Sequence, residues 1–198
     1  AEDVAHLAAY AADHGLALVP RGMGSGLNGA AVGAGIQVDF TRYMNSIVEV
    51  ASDASWVRVQ PGVVMAALNR HLMQYGAFFA PDPSSENHCS LGGMIGTNAS
   101  GARSVAYGAT KDHVRALEVV MADGSLAVAT GENGKIFKVR AAGAAPDAAL
   151  LFDTSETHII ALAADPSGNL FAGTDSNGLV LRFGVDGKWD IGGGVWLE

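Results

Sequence analysis

The chain has 198 residues and a net charge of −8; 49 % of its residues are hydrophobic and 16 % are charged. That balance excludes disorder and supplies enough apolar side chain for one ordinary domain or two small ones. Twelve Lys+Arg against 20 Asp+Glu, with no basic cluster, argue against a nucleic-acid binder, and the one cysteine, Cys89, excludes a disulfide framework or a zinc knuckle.

No apolar run approaches the roughly 20 residues that cross a bilayer, and no apolar leader opens the sequence. The expectation is therefore a cytoplasmic chain without a membrane span. Glycine is abundant, with 26 residues, about twice the average share. Its placement carries the argument.

Glu2 to His14 is predicted as a helix, because Val4, Leu7, Ala8 and Ala11 share one face and Gly15 follows as a C-cap. Leu16 to Val19 is predicted as a short strand ended by Pro20. A glycine-rich loop follows, Arg21-Gly22-Met23-Gly24-Ser25-Gly26-Leu27-Asn28-Gly29. Ile36 to Phe40 and Trp56 to Gln60 alternate as strands, the second stopped by Pro61-Gly62. Val63 to Tyr75 is predicted as a helix with Gly76 behind it. Pro81-Asp82-Pro83-Ser84-Ser85 reads as a rigid turn. Leu91 to Tyr107 is a second glycine-rich stretch, and Val114 to Ala122 an apolar strand.

Beyond Gly124 the chain changes to short strands and Asn-Gly turns, with one candidate helix at Ala144 to Leu151. An internal repeat matches Gly124, Leu126, Thr130 and Asn133-Gly134 with Gly168, Leu170, Thr174 and Asn177-Gly178, 44 positions later. Periods of about 40–50 residues with short strands point to propeller-type blades.

The first loop brings bare backbone close to a ligand, since glycine lacks a Cβ and accepts φ > 0. Successive N–H groups in such a loop can form an anion nest. The pattern is neither a Rossmann fingerprint nor a P-loop. Taken in order, Pro20 to Gly26, Asp39 to Asn45, Gln60-Pro61-Gly62-Val63, Pro81 to Ser85, Gly92 to Gly101 and Lys111-Asp112-His113-Val114 resemble the FAD-binding domain of the vanillyl-alcohol-oxidase/PCMH superfamily. The likeness is to its FAD-linked D-lactate dehydrogenase and glycolate oxidase branch, over roughly residues 2–124.

The resemblance implies an α+β fold with a truncated FAD-binding PCMH-like domain at 1–124; the repeat adds a mostly β segment at 125–190 that resembles propeller blades, and a tail follows at 191–198. The resemblance also implies non-covalent FAD and a small 2-hydroxy acid, such as D-lactate or glycolate, as hydride donor. Arg21, Gly22, Met23, Gly24, Ser25 and Gly26 would line the diphosphate, with Asn28 and Gly29 closing the turn. Pro83, Ser85 and Ser90 would border the flavin. Gly92, Gly93, Thr97, Asn98 and Gly101 would hold the ribityl chain and phosphates.

Departures from the family are informative. Met23 stands where a glycine is usual. Ser25 stands where some members carry a flavin-bonded histidine, so no covalent bond is expected. Cys89 does not fit a second covalent anchor and is expected to be a small core residue.

No catalytic set is visible, and no histidine has metal-ligand spacing with a second ligand. His88 would border the flavin pocket, while His113 is expected to be structural. The change of character near Asp123-Gly124 reads as a join between two unrelated sequences. The alternatives are a propeller-type binding module or a non-functional chimera. Two blade-like repeats would also leave open sheet edges, for which pairing or aggregation is the expected outlet.

Overall fold

The computed structural model describes residues 2–121, 126–130, 134–139, 148–154, 156, 159–164, 169–174, 179–184 and 188–194. The chain divides into two compact units, one formed by Ala17–His113 and the other by Ala1–Leu16 with Val114–Glu198.

In the Ala17–His113 unit, strand β1 (Leu18–Arg21) pairs in parallel with β2 (Ile36–Asp39). The strand does not stop at Pro20 but runs through it to Arg21. A proline is tolerated here because β1 has a single partner, so no ladder on its other side needs the missing N–H. A strand that the alternation in sequence did not reveal, β3 (Ile47–Val50), pairs antiparallel with β4 (Val57–Val59).

Helix α2 (Met65–Leu72) continues into a 3-10 turn at Met73–Tyr75 and ends at Gly76, whose φ of 65° supplies the left-handed cap. The glycine-rich stretch beginning at Leu91 is not a loop throughout. It contains helix α3 (Leu91–Thr97) and the short helix α4 (Ser104–Tyr107). Three glycines in one helix oppose propensity. Three other features offset them: Ser90 caps the N-terminus by accepting from Gly93 N, Leu91 and Met94 are buried, and Asn98 closes the C-terminus at φ 47°.

The core of this unit joins Val63, Met65, Leu68 and Leu72 from α2 and its approach to Cys89, Leu91 and Met94 around α3. Ile47, Val50, Val57 and Val59 of the β3–β4 hairpin pack on it. Cys89 is a buried core thiol, as expected from the sequence.

In the other unit, α1 (Glu2–Asp13) buries Ala5, Ala8 and Ala11 along one face, and Gly15 follows at φ 62°. Strands β5 (Ala116–Val120), β6 (Leu126–Thr130), β7 (Lys135–Val139) and β8 (Ala148–Asp153) form an antiparallel sheet in chain order. A second antiparallel sheet contains β9 (Ile159–Ala164), β10 (Leu170–Thr174), β11 (Leu179–Phe183) and β12 (Trp189–Gly194), again in chain order. The candidate helix at Ala144 to Leu151 is replaced by β8 from Ala148 onward; residues 144–147 lie outside the described residues. Gly192 to Gly194 belong to β12, and 195–198 lie outside. Of the repeated turn residues, Gly124, Asn133, Gly168, Asn177, Gly178 and also His158 lie outside the described residues. The strands that flank them keep the 44-residue offset, β6 against β10 and β7 against β11. The described strands form two open four-stranded sheets; a ring of such sheets around a channel, which would make a propeller, is not shown among the described residues.

Candidate functional site

The first glycine-rich loop leaves the C-terminal end of β1 at Arg21. Arg21 and Gly22 are half-buried, whereas Met23, Gly24, Ser25, Gly26, Asn28 and Gly29 are exposed. Gly24 and Gly29 lie at φ 75° and 73°, a region that other residues enter only with strain. Among the described residues, the backbone N–H groups of Met23 to Asn28 donate to no protein acceptor. The loop therefore presents a run of free donors beside a fixed cation. The Arg21 side chain folds back over it, with Nε 3.3 Å from the Gly22 carbonyl oxygen. A Cβ at Gly24 would lie 2.8 Å from Arg21 Nη2.

One glycine contact ties this loop to the later motifs, and two more tie those motifs to one another. A Cβ at Gly22 would overlap the Ser90 hydroxyl, so the first loop touches the cap of α3. A Cβ at Gly92 would lie 2.7 Å from Pro61 Cβ, and Gly92 N donates to the Pro61 carbonyl oxygen at 2.9 Å. A Cβ at Gly101 would overlap the Asp82 carbonyl oxygen. The Gln60–Val63, Pro81–Ser85 and Gly92–Gly101 segments are thus pinned to one another where backbone meets backbone.

These contacts reassign some of the expected donors. Leu91 N donates to Val63 O at 2.8 Å, Gly92 N to Pro61 O, and Gly93 N to Ser90 Oγ at 3.4 Å. The first turn of α3 is therefore saturated by the protein. Gly92 and Gly93 open space beside the loop without offering free N–H groups. Ser90 is buried, with its hydroxyl engaged in the cap. Thr97 Oγ1 donates to Gly93 O at 3.0 Å and Asn98 Oδ1 accepts from Lys111 N at 3.0 Å. Both side chains lie at the exposed C-terminal end of α3. Pro83 is buried and Ser85 half-buried.

Sequence reasoning missed Asp82, which accepts from Arg103 N at 2.7 Å and pairs with Arg103 Nε at 3.4 Å. It also missed Thr110, wholly buried, whose hydroxyl donates to Ala99 O at 2.6 Å. Together they hold the segment after Asn98. The available signal was the Asp between two prolines; Thr110 had none. His88 is exposed. His113 is held by the Tyr107 carbonyl at 2.9 Å and lies edge-on to Phe79, which gives it a structural place.

Charge near the loop is arranged locally. Asp39, in register with Arg21 across β1–β2, has its carboxyl held below the usual range, first by hydrogen bonds from Thr41 and then by Arg21 and Arg42. Burial pushes the Cys89 thiol up, so it stays neutral. Among the described residues no helix is long and apolar enough to cross a membrane.

A strand, a glycine-rich turn with free donors and a second small-residue segment pressed against it leave a run of unpaired N–H groups of the kind that can receive an anion. The FAD binding domain family matches residues 1–130, and the chain belongs to it. That match runs through β6.

Curated relatives include D-2-hydroxyglutarate dehydrogenase of Pantoea ananatis, 46 % identical over 123 residues, covering 62 % of this chain and 12 % of the relative. Glycolate oxidase subunit GlcD of Bacillus subtilis is 36 % identical over 138 residues, covering 69 % of this chain and 29 % of the relative. The chain thus spans less than a third of the length of these relatives. Among solved structures, 6-hydroxy-D-nicotine oxidase of Arthrobacter nicotinovorans superposes with a TM-score of 0.56 at 27 % identity, over 65 % of this chain and 28 % of that one.

Proposed function

We propose that this chain supplies the FAD-binding part of an oxidoreductase that acts on a small 2-hydroxy acid, of the D-lactate, glycolate or D-2-hydroxyglutarate kind. The observation that carries the reading is the contact of Gly22 with Ser90, which brings two glycine-rich segments nearly 70 residues apart in sequence to one place. The names of the relatives supply the substrate class.

On this reading the N–H groups from Met23 to Asn28 receive the diphosphate, and Arg21 supplies the countercharge. Gly24 and Gly29 shape the loop, Met23, Ser25, Gly26 and Asn28 line it, and Gly22 lets it seat on Ser90. Gly92, Gly93 and Gly101 keep Cβ atoms out of the cleft, while Thr97 and Asn98 face the ribityl side. Pro83 and Ser85 border the flavin. When bound, the isoalloxazine supplies a two-electron acceptor for the substrate hydride. Ser25 offers no nucleophile of the kind that bonds flavin, so the cofactor is held without a covalent link. The flavin elements lie within 1–124, and the β-rich 125–190 is joined to them through the pairing of β5 with β6.

The test is a titration of the purified chain by flavin fluorescence with FAD, FMN and ADP. Tighter binding of FAD than of FMN is expected, because the loop is built for a diphosphate. Equal binding of the two, or none, overturns the reading. Acid denaturation should release all flavin into the supernatant; flavin retained on the precipitated chain overturns the non-covalent assignment.

A further inference from the structure

The two four-stranded sheets stack on each other through opposite faces of the same repeat. Their shared core takes Ala127, Ala129 and Ile136 from the first sheet and Leu170, Ala172 and Leu181 from the second. Moving back 44 positions, Ala172 and Leu181 correspond to Val128 and Phe137, which alternate with the first sheet's core residues and lie on its opposite face. Moving forward 44 positions, Ala127, Ala129 and Ile136 correspond to Phe171, Gly173 and Val180, which lie on the second sheet's other face. The register agrees: Val128 pairs with Glu118 and Phe137, and Phe137 with Leu150; Phe171 pairs with Arg182, and Gly173 with Val180. Phe152 and Phe183, with ring centroids 5.0 Å apart, close the inner layer.

One face of the repeat therefore receives the other face of the next repeat. Such contact is head-to-tail, and among the described residues each end of the stack keeps one face that the other sheet does not cover. The first sheet leaves Val128 and Phe137 half-buried beside an exposed Glu118 and a Leu150 that is 51 % exposed. The second leaves Phe171 and Val180 half-buried beside the exposed Arg182. Both unused faces are apolar at the centre; at the margin of the second, Arg182 is already paired with Asp190 across β11–β12 at 3.5 Å, so apolar contact rather than charge would join them.

We propose that these two faces bind each other between copies of this chain, so that the chain self-associates head to tail by repeating its own internal sheet contact. The occupant is a second copy because it offers the repeat-equivalent counterpart of each unused face. Pairing through the open strand edges is a different geometry, and the test separates the two.

The test is sedimentation velocity on the full 198-residue chain over a wide concentration range. The expected result is an average mass that passes the dimer and keeps rising with concentration, because head-to-tail contacts do not close at two. Leu150→Glu charges one face at an exposed position, and Val180→Glu charges the other. Each variant alone should stay monomeric, whereas an equimolar mixture should form a dimer and stop, since each partner retains one good face. A monomeric wild-type chain at all concentrations overturns the proposal. Oligomers that persist in either single variant also overturn it and point to edge pairing or a symmetric contact. Should Val180→Glu lose its circular-dichroism signature, Arg182→Glu on the same face takes its place. The wild-type sedimentation result decides by itself if both fail.

Discussion

Gly22 sits so close to the Ser90 hydroxyl that a Cβ there would occupy the hydroxyl's position. Ser90 cannot move freely away, because it caps α3 and also bridges Val64. Gly22→Ala is expected to destabilise the chain by about 1–3 kcal/mol through overpacking. Ser90→Ala should lose about 0.5–2 kcal/mol through the cap. Because the two residues touch, the double variant should fall short of the sum, and urea denaturation of all three variants measures the coupling.

Arg21 is the cation nearest the free donors of the loop. Arg21→Met keeps the aliphatic stem and removes the charge. FAD affinity should fall about tenfold or more, on the order of 1.4 kcal/mol, with little change in the unfolding midpoint. Unaltered FAD affinity would remove Arg21 from the diphosphate site.

Asn98 combines a left-handed backbone, φ 47°, with a side-chain bond to Lys111 N. Asn98→Ala loses the bond and retains the strain, for a loss of about 1–3 kcal/mol. Asn98→Gly loses the bond but relieves the strain, so it should be the milder change. The order of the two midpoints in urea checks the assignment; a milder alanine variant contradicts it.

Cys89 is buried with its thiol pKa raised above the ordinary value of 9.0, first by burial. An unfolded thiol ionises at lower pH than the folded one. Above pH 9 the unfolded state therefore holds fewer protons, and stability falls as pH rises toward the folded value. Cys89→Ala should flatten that alkaline decline. At neutral pH, alkylation of Cys89 should be slow in the folded chain and should accelerate with urea through the unfolding transition. Fast labelling of the folded chain would show that the thiol is accessible.

Local rules made much of the fold legible. Gly15 and Gly76 marked helix ends because few other residues take their backbone angles without strain. The alternation in Ile36 to Phe40 and Trp56 to Gln60 gave strands because each has one half-buried and one exposed face. Leu91 to Thr97 was not legible as a helix: three glycines lower its propensity, and the compensation comes from Leu91 and Met94 meeting α2 and from Ser90 capping the end. Strand β3 was hidden for a similar reason, since its pairing with Val57–Val59 fixes it more than its own pattern does. Beyond residue 125, the 44-residue spacing forecast equivalent strands, but not which face each sheet would bury.

The order and spacing of the small residues alone pointed to bare backbone brought close to a ligand, and with it to the kinship with flavin-dinucleotide domains. Only the tertiary structure decided what Gly22, Gly92 and Gly101 meet: Ser90, Pro61 and Asp82. It also showed that the first turn of α3 gives its N–H groups to the protein, leaving the free donors in the first loop. The reason is physical. A missing Cβ can be read from one residue, whereas a hydrogen-bond partner is chosen among all the acceptors that folding brings within about 3 Å.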